Sequence, residues 1–445
     1  MNKIVVILLV ALIANGCRKN DVALVNGGLP EERMAERLAE LRSQLTGAQN
    51  GWLASLTTTA GGGYGFYMKF GADEKVIMMG DLNNNTATQS QVSTYRVKWV
   101  MNASLIFDTY NYVTLLQDPV PGAYGGKASS GYKSDIEFEY IRSSGDSLIL
   151  QGKKYRNYLF LVKATAAQAT AYQQGKLADK IKDVQNYFGT HFNNYVTIGG
   201  IVNKVSFVVS DDKRVSVQYA DPKDSVITVN SKFNFNLDGI GFADDFIVNG
   251  VKFKNGVMSD GVLKLYDDKG TEYTVAQNAT PVIPLRILFA YNKTYNSIMI
   301  PGKALPAGIT SNFNSVYAGL ISRYSGSSGG PRTIDSVEFR LSSGATALVR
   351  IWYWNSTNTS HLLADASFDY TYDNGIVTLS NYTPSVSNTN WTVGVTNGWI
   401  GAFLTWFQSG PFKIDWVAAS GGQNLGGLYM VSDPASFYYG ELKKR

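Results

Sequence analysis

A mainly β, antiparallel fold (α+β overall) is expected for this chain, built as sandwich or half-barrel domains with an N-terminal helix and one mid-chain helix. Three observations predict it. Short runs alternate apolar and polar side chains at period two, the spacing of a strand with one buried face. Gly-, Asn- and Asp-rich turns separate those runs. Helical spacing is confined to two stretches. Composition agrees: charged residues make up 17% of the chain against ~25% in an average soluble protein, while aromatics reach 13% and glycines number 44.

The first helix is expected from Pro30, where proline suits a first turn and Glu31 and Glu32 suit its positive end. Met34, Leu38, Leu41 and Leu45 then recur at i, i+4, i+7 and i+11, an apolar stripe that ends near Gly47. Strands are expected over residues 64–70, 76–79, 94–99, 104–110, 135–140, 147–150 and 159–163. An Ala-, Gln- and Lys-rich helix is expected over 164–187, with Gly175 as a point where it splits. A second meander follows over 204–210, 215–219, 225–229, 249–253 and 262–266, and residues 276–284 punctuate the chain with Pro281 and Pro284. Residues 324–331 read as a linker, and strands resume at 336–341, 347–354, 367–372 and 376–379 around an Asp373-Asn374-Gly375 turn. The expected domains are 30–190, 191–325 and a Trp-rich 326–445.

At the front, Lys3, an apolar run over 4–14 and Asn15-Gly16-Cys17 have the length of a signal-peptide core rather than of a membrane span. A small residue before the chain's one cysteine resembles a bacterial lipobox, with Ala14 where Leu, Val or Ile is usual. The resemblance implies lipidation of Cys17, with 1–17 as signal peptide and lipidation site and 18–29 as a tether. A single cysteine permits no disulfide within the chain, and two histidines are too few for most zinc sites. No cofactor or metal is expected. The sequence pI of about 8.9 comes from dispersed Lys and Arg, which argues for a solvated surface rather than a nucleic-acid partner.

Residues 31–45 as a helix, Asn50-Gly51-Trp52, Phe66-Tyr-Met-Lys-Phe70, Leu105-Ile-Phe-Asp-Thr-Tyr-Asn111 and Ser134-Asp-Ile-Glu-Phe-Glu139 occur in that order. Together they resemble a family of Bacteroidota lipoproteins known as domain of unknown function 4302. The likeness extends through Lys154-Tyr-Arg-Asn-Tyr158 and the helix after it. The resemblance implies an outer-membrane lipoprotein on the periplasmic or cell-surface face, near starch-utilisation-type uptake porins and their binding lipoproteins. It implies no catalytic residues.

Three clusters carry possible chemistry. Arg350-Ile-Trp352-Tyr-Trp354 places Arg350, Trp352 and Trp354 on one strand face, with indoles ~7 Å apart as a stacking platform for sugar rings or aromatic side chains. The alternative is a Trp-rich core with Arg350 reaching outward. Asp135, Glu137 and Glu139 alternate likewise, at a spacing near the ~5–5.5 Å of retaining glycosidases, or as a solvated strand face. Asp81, Asn83 and Asn85 start like a calcium loop, but Thr86 replaces the glycine and Val92 the bidentate glutamate, so an Asn-rich hairpin turn is expected. His191 and His361 lack any signal of a catalytic triad.

The expected function is therefore a lipid-anchored, non-catalytic, extracytoplasmic binding or accessory protein in nutrient uptake. Its ligand would be a glycan or peptide, and its partners an uptake porin or binding lipoprotein. A structural or adhesive surface lipoprotein is one alternative. A glycoside hydrolase using Asp135, Glu137 and Glu139 is the enzymatic one.

Overall fold

The computed structural model describes residues 29–200 and 204–445; Cys17 and the expected signal peptide and tether up to residue 28 lie outside them. No helix among the described residues is long and apolar enough to cross a membrane. The chain divides into two compact units, one running to Gly175 without Gly62–Tyr64, the other taking those three residues and Lys176–Arg445.

The first unit is built on one sheet whose strands are β1 (Trp52–Thr57), β2 (Gly63–Phe70), β3 (Lys75–Gly80), β4 (Gln91–Thr94), β5 (Arg96–Val100), β6 (Asn102–Ile106), β7 (Glu137–Ser144), β8 (Ser147–Gly152) and β9 (Tyr158–Lys163). Their order is β4-β3-β2-β1-β9-β8-β7-β6-β5. Tyr95 alone separates β4 from β5, which stand at opposite ends of that order, so the sheet curls to near closure. The Tyr95 ring is buried edge-on against Phe70, with centroids 4.9 Å apart. Curling of this kind leaves fewer open backbone edges to water or to another chain.

The helix Pro30–Gly47 follows its predicted stripe: Leu41 and Leu45 are buried, Met34 and Leu38 half-buried, against β5 and β6. Trp52 Nε1 donates to the Leu45 carbonyl at 2.9 Å, tying the helix end to β1. Midway along, the Tyr140 hydroxyl donates to Glu40 Oε1 at 2.5 Å, and Arg37 pairs with Glu40 at 2.9 Å while lying 4.4 Å over the Tyr140 ring. The Asn-rich stretch does join an antiparallel pair, β3 and β4, but carries a short helix in place of a tight turn. Asn83 Oδ1 accepts from the Thr86 amide and caps the short helix Asn84–Thr88, while the Thr86 hydroxyl accepts in turn from the Asn83 amide.

The single mid-chain helix expected over 164–187 is two helices. Ala166–Gln173 belongs to the first unit, capped by Thr165 with Gln168, and its Tyr172 stacks on Tyr67 of β2 at 5.4 Å. Lys176–Thr190 belongs to the second. Gly175 between them has φ +75°, a left-handed conformation that ends an α-helix and that glycine adopts without steric cost.

In the second unit, Lys176–Thr190 buries Leu177, Val184 and Tyr187 against another antiparallel sheet. Its strands are β10 (Asn194–Val196), β11 (Val205–Val209), β12 (Arg214–Ala220), β13 (Val226–Phe235), β14 (Gly239–Val248), β15 (Val251–Ser259), β16 (Val262–Asp267), β17 (Glu272–Thr274) and β18 (Ala276–Gln277). The order is β17-β16-β15-β14-β13-β12-β11-β10-β18. Val275 alone separates the two end strands, so this sheet also curls to near closure. The Tyr187 hydroxyl donates to the Val275 carbonyl at 2.8 Å and holds that join beneath the helix.

The remainder is a closed barrel of β19 (Ser297–Pro301), β20 (Thr333–Leu341), β21 (Thr346–Trp354), β22 (His361–Asp373), β23 (Ile376–Pro384), β24 (Phe412–Val417), β25 (Leu425–Met430) and β26 (Phe437–Lys443). Helices Phe313–Ser325, Asn390–Thr396 and Gly401–Gln408 share its core, so the boundary expected at residue 326 falls between elements that pack in one core. The stretch read as a linker, 324–331, is a fastened turn. Tyr324 is buried, Arg332 donates to Ser327 Oγ at 2.6 Å, and the Arg332 guanidinium lies 4.5 Å over Trp399. Its small polar composition reflects tight geometry, with Gly329 and Gly330 both at positive φ.

The Tyr140 hydrogen bond holds the Glu40 carboxyl below its usual range, outweighing partial burial, with Arg37 adding to the effect. A depressed folded-state value means the contact contributes above the unfolded carboxylate value, near ~4.3, and is lost as pH falls through the folded one. Tyr140→Phe should raise the Glu40 titration midpoint toward the free value. A 13C NMR titration of the Glu40 carboxyl checks this, and an unmoved midpoint refutes the assignment.

Candidate functional site

On β21 the side chains alternate as the sequence predicts. Val349, Ile351 and Tyr353 enter the barrel core, while Arg350, Trp352 and Trp354 stand half-buried on the outer face. The other tryptophans of the region, Trp391, Trp399, Trp406 and Trp416, are buried core residues. The Trp-rich segment thus divides into four core indoles and two outward ones. Burying a large aromatic side chain contributes ~2–3 kcal/mol, which accounts for the four without any ligand.

Strand register sets what surrounds Arg350. Across β26, β19, β20, β21 and β22 a single row runs Glu441, Met299, Glu338, Arg350, Asp365. Glu338 is almost wholly buried although it lies on the outer face, and its Oε1 accepts from Ser297 Oγ at 2.6 Å. Arg350 Nη1 approaches Glu338 Oε2 at 3.8 Å and Arg445 Nε approaches Oε1 at 3.6 Å. Both distances exceed a charge-assisted hydrogen bond of ~2.7–2.9 Å. Arg340, two residues along β20, faces the same way. Burial lowers the proton affinity of Arg350, and Arg340 and Arg445 press it the same way against the pull of Glu338 and Asp365.

These groups line a cavity of about 300 Å³ with Trp352 and His361 on its wall. The Trp352 ring lies 5.9 Å from the Arg350 guanidinium carbon. Trp354 is not part of the lining: its ring rests on His361 at 4.7 Å, and His361 Nε2 meets Asp335 at 3.4 Å. The structure therefore unites Arg350 with Trp352 and leaves Trp354 as support for the histidine. Glu338, Arg340 and Arg445 were not singled out from sequence. Ser336-Val-Glu-Phe-Arg340 does alternate polar and apolar, which places Glu338 and Arg340 on one face, but no local pattern connects them to β21 or to the last residue.

The acidic run is placed differently from expectation. Asp135 precedes β7 rather than lying on it, and it is buried. Asp135 Oδ1 accepts from the amides of Lys154 and Tyr155 at 2.8 and 2.9 Å, while Oδ2 accepts from the Asn157 side chain at 3.2 Å. Its carboxylate organises the loop after β8. Glu137 and Glu139 stay on β7, half-buried, with Glu139 3.5 Å from Arg156. The three carboxylates do not form one strand face, because the first is turned inward to satisfy buried amides. His191 stacks on Tyr187 at 4.2 Å and its Nδ1 meets the Tyr187 carbonyl. No group of three or more His, Cys, Asp or Glu among the described residues is placed to hold a metal ion.

A Cβ on Gly152 would lie 2.0 Å from Asp135 Oδ2, so loop and carboxylate fit only with glycine there. Asp135→Ala should cost ~3 kcal/mol through stranded buried amides, and Gly152→Ala ~2 kcal/mol through displacement of the carboxylate. Urea unfolding checks both, and a loss under ~0.5 kcal/mol for Asp135→Ala would contradict this role.

A search among curated proteins gives no match to the chain. The family model described as Domain of unknown function (DUF4302) matches residues 28–258, which spans more than half of the chain and ends in β15, before the barrel that carries the Arg350 cavity. The chain belongs to that family.

Proposed function

We propose that this protein is a lipid-anchored, non-catalytic binding protein, held on the outer membrane through Cys17, that captures glycan for an uptake system. The observation that carries the reading is the outward Arg350–Trp352 pair bordering a cavity on the barrel exterior. Most of the region's indoles are consumed in the core, yet Trp352 is spared and set beside unspent guanidinium donors. A half-exposed indole next to hydrogen-bond donors is the pairing that receives the apolar face and the hydroxyl rim of a sugar ring. The lipobox-like Asn15-Gly16-Cys17 supports the anchored location.

Glycan-array binding by the purified protein tests this reading. Trp352→Ala should weaken the principal glycan signal by about tenfold or more, while Trp354→Ala, which acts through His361, should weaken it less. Equal binding by Trp352→Ala and the parent would refute the assignment of this face. Separately, Cys17→Ser should abolish labelling by a palmitate analogue and release the protein from the membrane fraction; retained labelling refutes the anchor.

A further inference from the structure

The cavity beside Trp352 gathers more hydrogen-bond donors than its own acceptors use. Among the described residues the side chains of Arg340 and Arg350 make no hydrogen bond, and the Nε atom of each is buried without a partner. Glu338, the acid at the floor, accepts its short hydrogen bond from Ser297 Oγ rather than from an arginine. Asp365 accepts from Asn388 at 2.9 Å, and Asp335 is engaged with His361. Arg445 is held in place by Asn296: its amide donates to Asn296 Oδ1 at 2.8 Å, and Asn296 Nδ2 donates back to the Arg445 carbonyl at 3.1 Å. A buried guanidinium nitrogen without an acceptor is costly, and a planar two-oxygen anion is the partner its fork matches.

We infer that the Arg340–Arg350–Arg445 cavity binds the carboxylate of an acidic sugar, a uronate-type ring whose apolar face rests on Trp352. This deepens the glycan-binding reading and rests on it. Glu338 stands between Arg350 and Arg445 at distances too long to saturate them, and apart from the contact of Arg445 Nη2 with Met299 Sδ at 3.2 Å their N–H groups are left for the incoming oxygens. The cavity volume of about 300 Å³ suits a single sugar residue, with the remainder of an oligosaccharide outside. A carboxylate on the sugar accounts for three arginines where a neutral sugar would need one or two donors.

Calorimetric titration of the full-length protein in detergent with an oligogalacturonide, its methyl ester of equal length and a neutral oligogalactan tests the inference. The acid form should bind, and the methyl ester should bind at least about tenfold more weakly. Arg350→Gln should remove that preference. Because this change disturbs Glu338, Arg340→Gln, which breaks no side-chain ion pair or hydrogen bond among the described residues, is measured alongside and should also reduce it. Raising salt should weaken the acid form and leave the ester unchanged. Equal binding of acid and ester, with both lost in Trp352→Ala, overturns the carboxylate inference while the glycan reading stands. Binding of a peptide C-terminal carboxylate in place of every sugar overturns both, as does absence of binding to all three saccharides and the peptide.

Discussion

Pairing of β19 with β26 closes the barrel, and the outer-face cavity depends on it. The first and last strands meet through Ser297–Lys443, Ile298–Leu442 and Met299–Glu441. Backbone must approach backbone closely there: a Cβ on Gly440 would lie 2.3 Å from the Met299 carbonyl oxygen. The buried Tyr438 hydroxyl lies 3.0 Å from both the Ile298 and the Val337 carbonyl oxygens and bonds at the seam beside β20. Asn296 fastens the outer end by donating to the Leu341 and Arg445 carbonyls. Met299, already beside Glu338 through the pairing of β19 with β20, gains Glu441 across the seam, and Arg445 reaches the acid at 3.6 Å.

The two faces of these strands obey different rules. Inward, Ile298, Val337, Phe339, Val349 and Ile351 join the buried helices through contacts that are individually weak and collectively dominant. Outward, a barrel strand ordinarily meets water, yet Glu338 is an acid that is 1% exposed on the exterior face. Removing an ion from water costs several kcal/mol unless partners compensate, so Glu338 requires Ser297 and the nearby guanidiniums. The same requirement draws Arg350 and Arg445 to one acid beside Arg340, and leaves the Nε atoms of Arg340 and Arg350 without an acceptor among the described residues.

Asp135 shows the opposite resolution of a buried acid. Its oxygens are consumed by the amides of Lys154 and Tyr155 and by Asn157, so it serves as a rigid part of the first unit. Both acids lie in alternating polar and apolar runs. What separates them is whether the surrounding donors are backbone amides, which are spent on the fold, or guanidinium forks with N–H groups to spare.

The sequence by itself determined the local periodicities. The Leu41–Leu45 stripe became the buried side of its helix, and the 347–354 run kept its predicted alternation, because side-chain period is a property of the backbone in each regular structure. The split at Gly175 was legible too, since only one residue type takes a left-handed conformation freely. Tertiary structure decided what local pattern does not encode. It closed strands from residue 297 to 443 into one barrel, although residues 324–331 read as a linker, because Arg332 and Ser327 fasten that turn. It placed Asp135 off its strand, because loop amides 19 and 20 residues away claimed the carboxylate. It brought Arg445 to Glu338, since register between distant strands follows from packing and closure of the whole sheet rather than from any segment read alone.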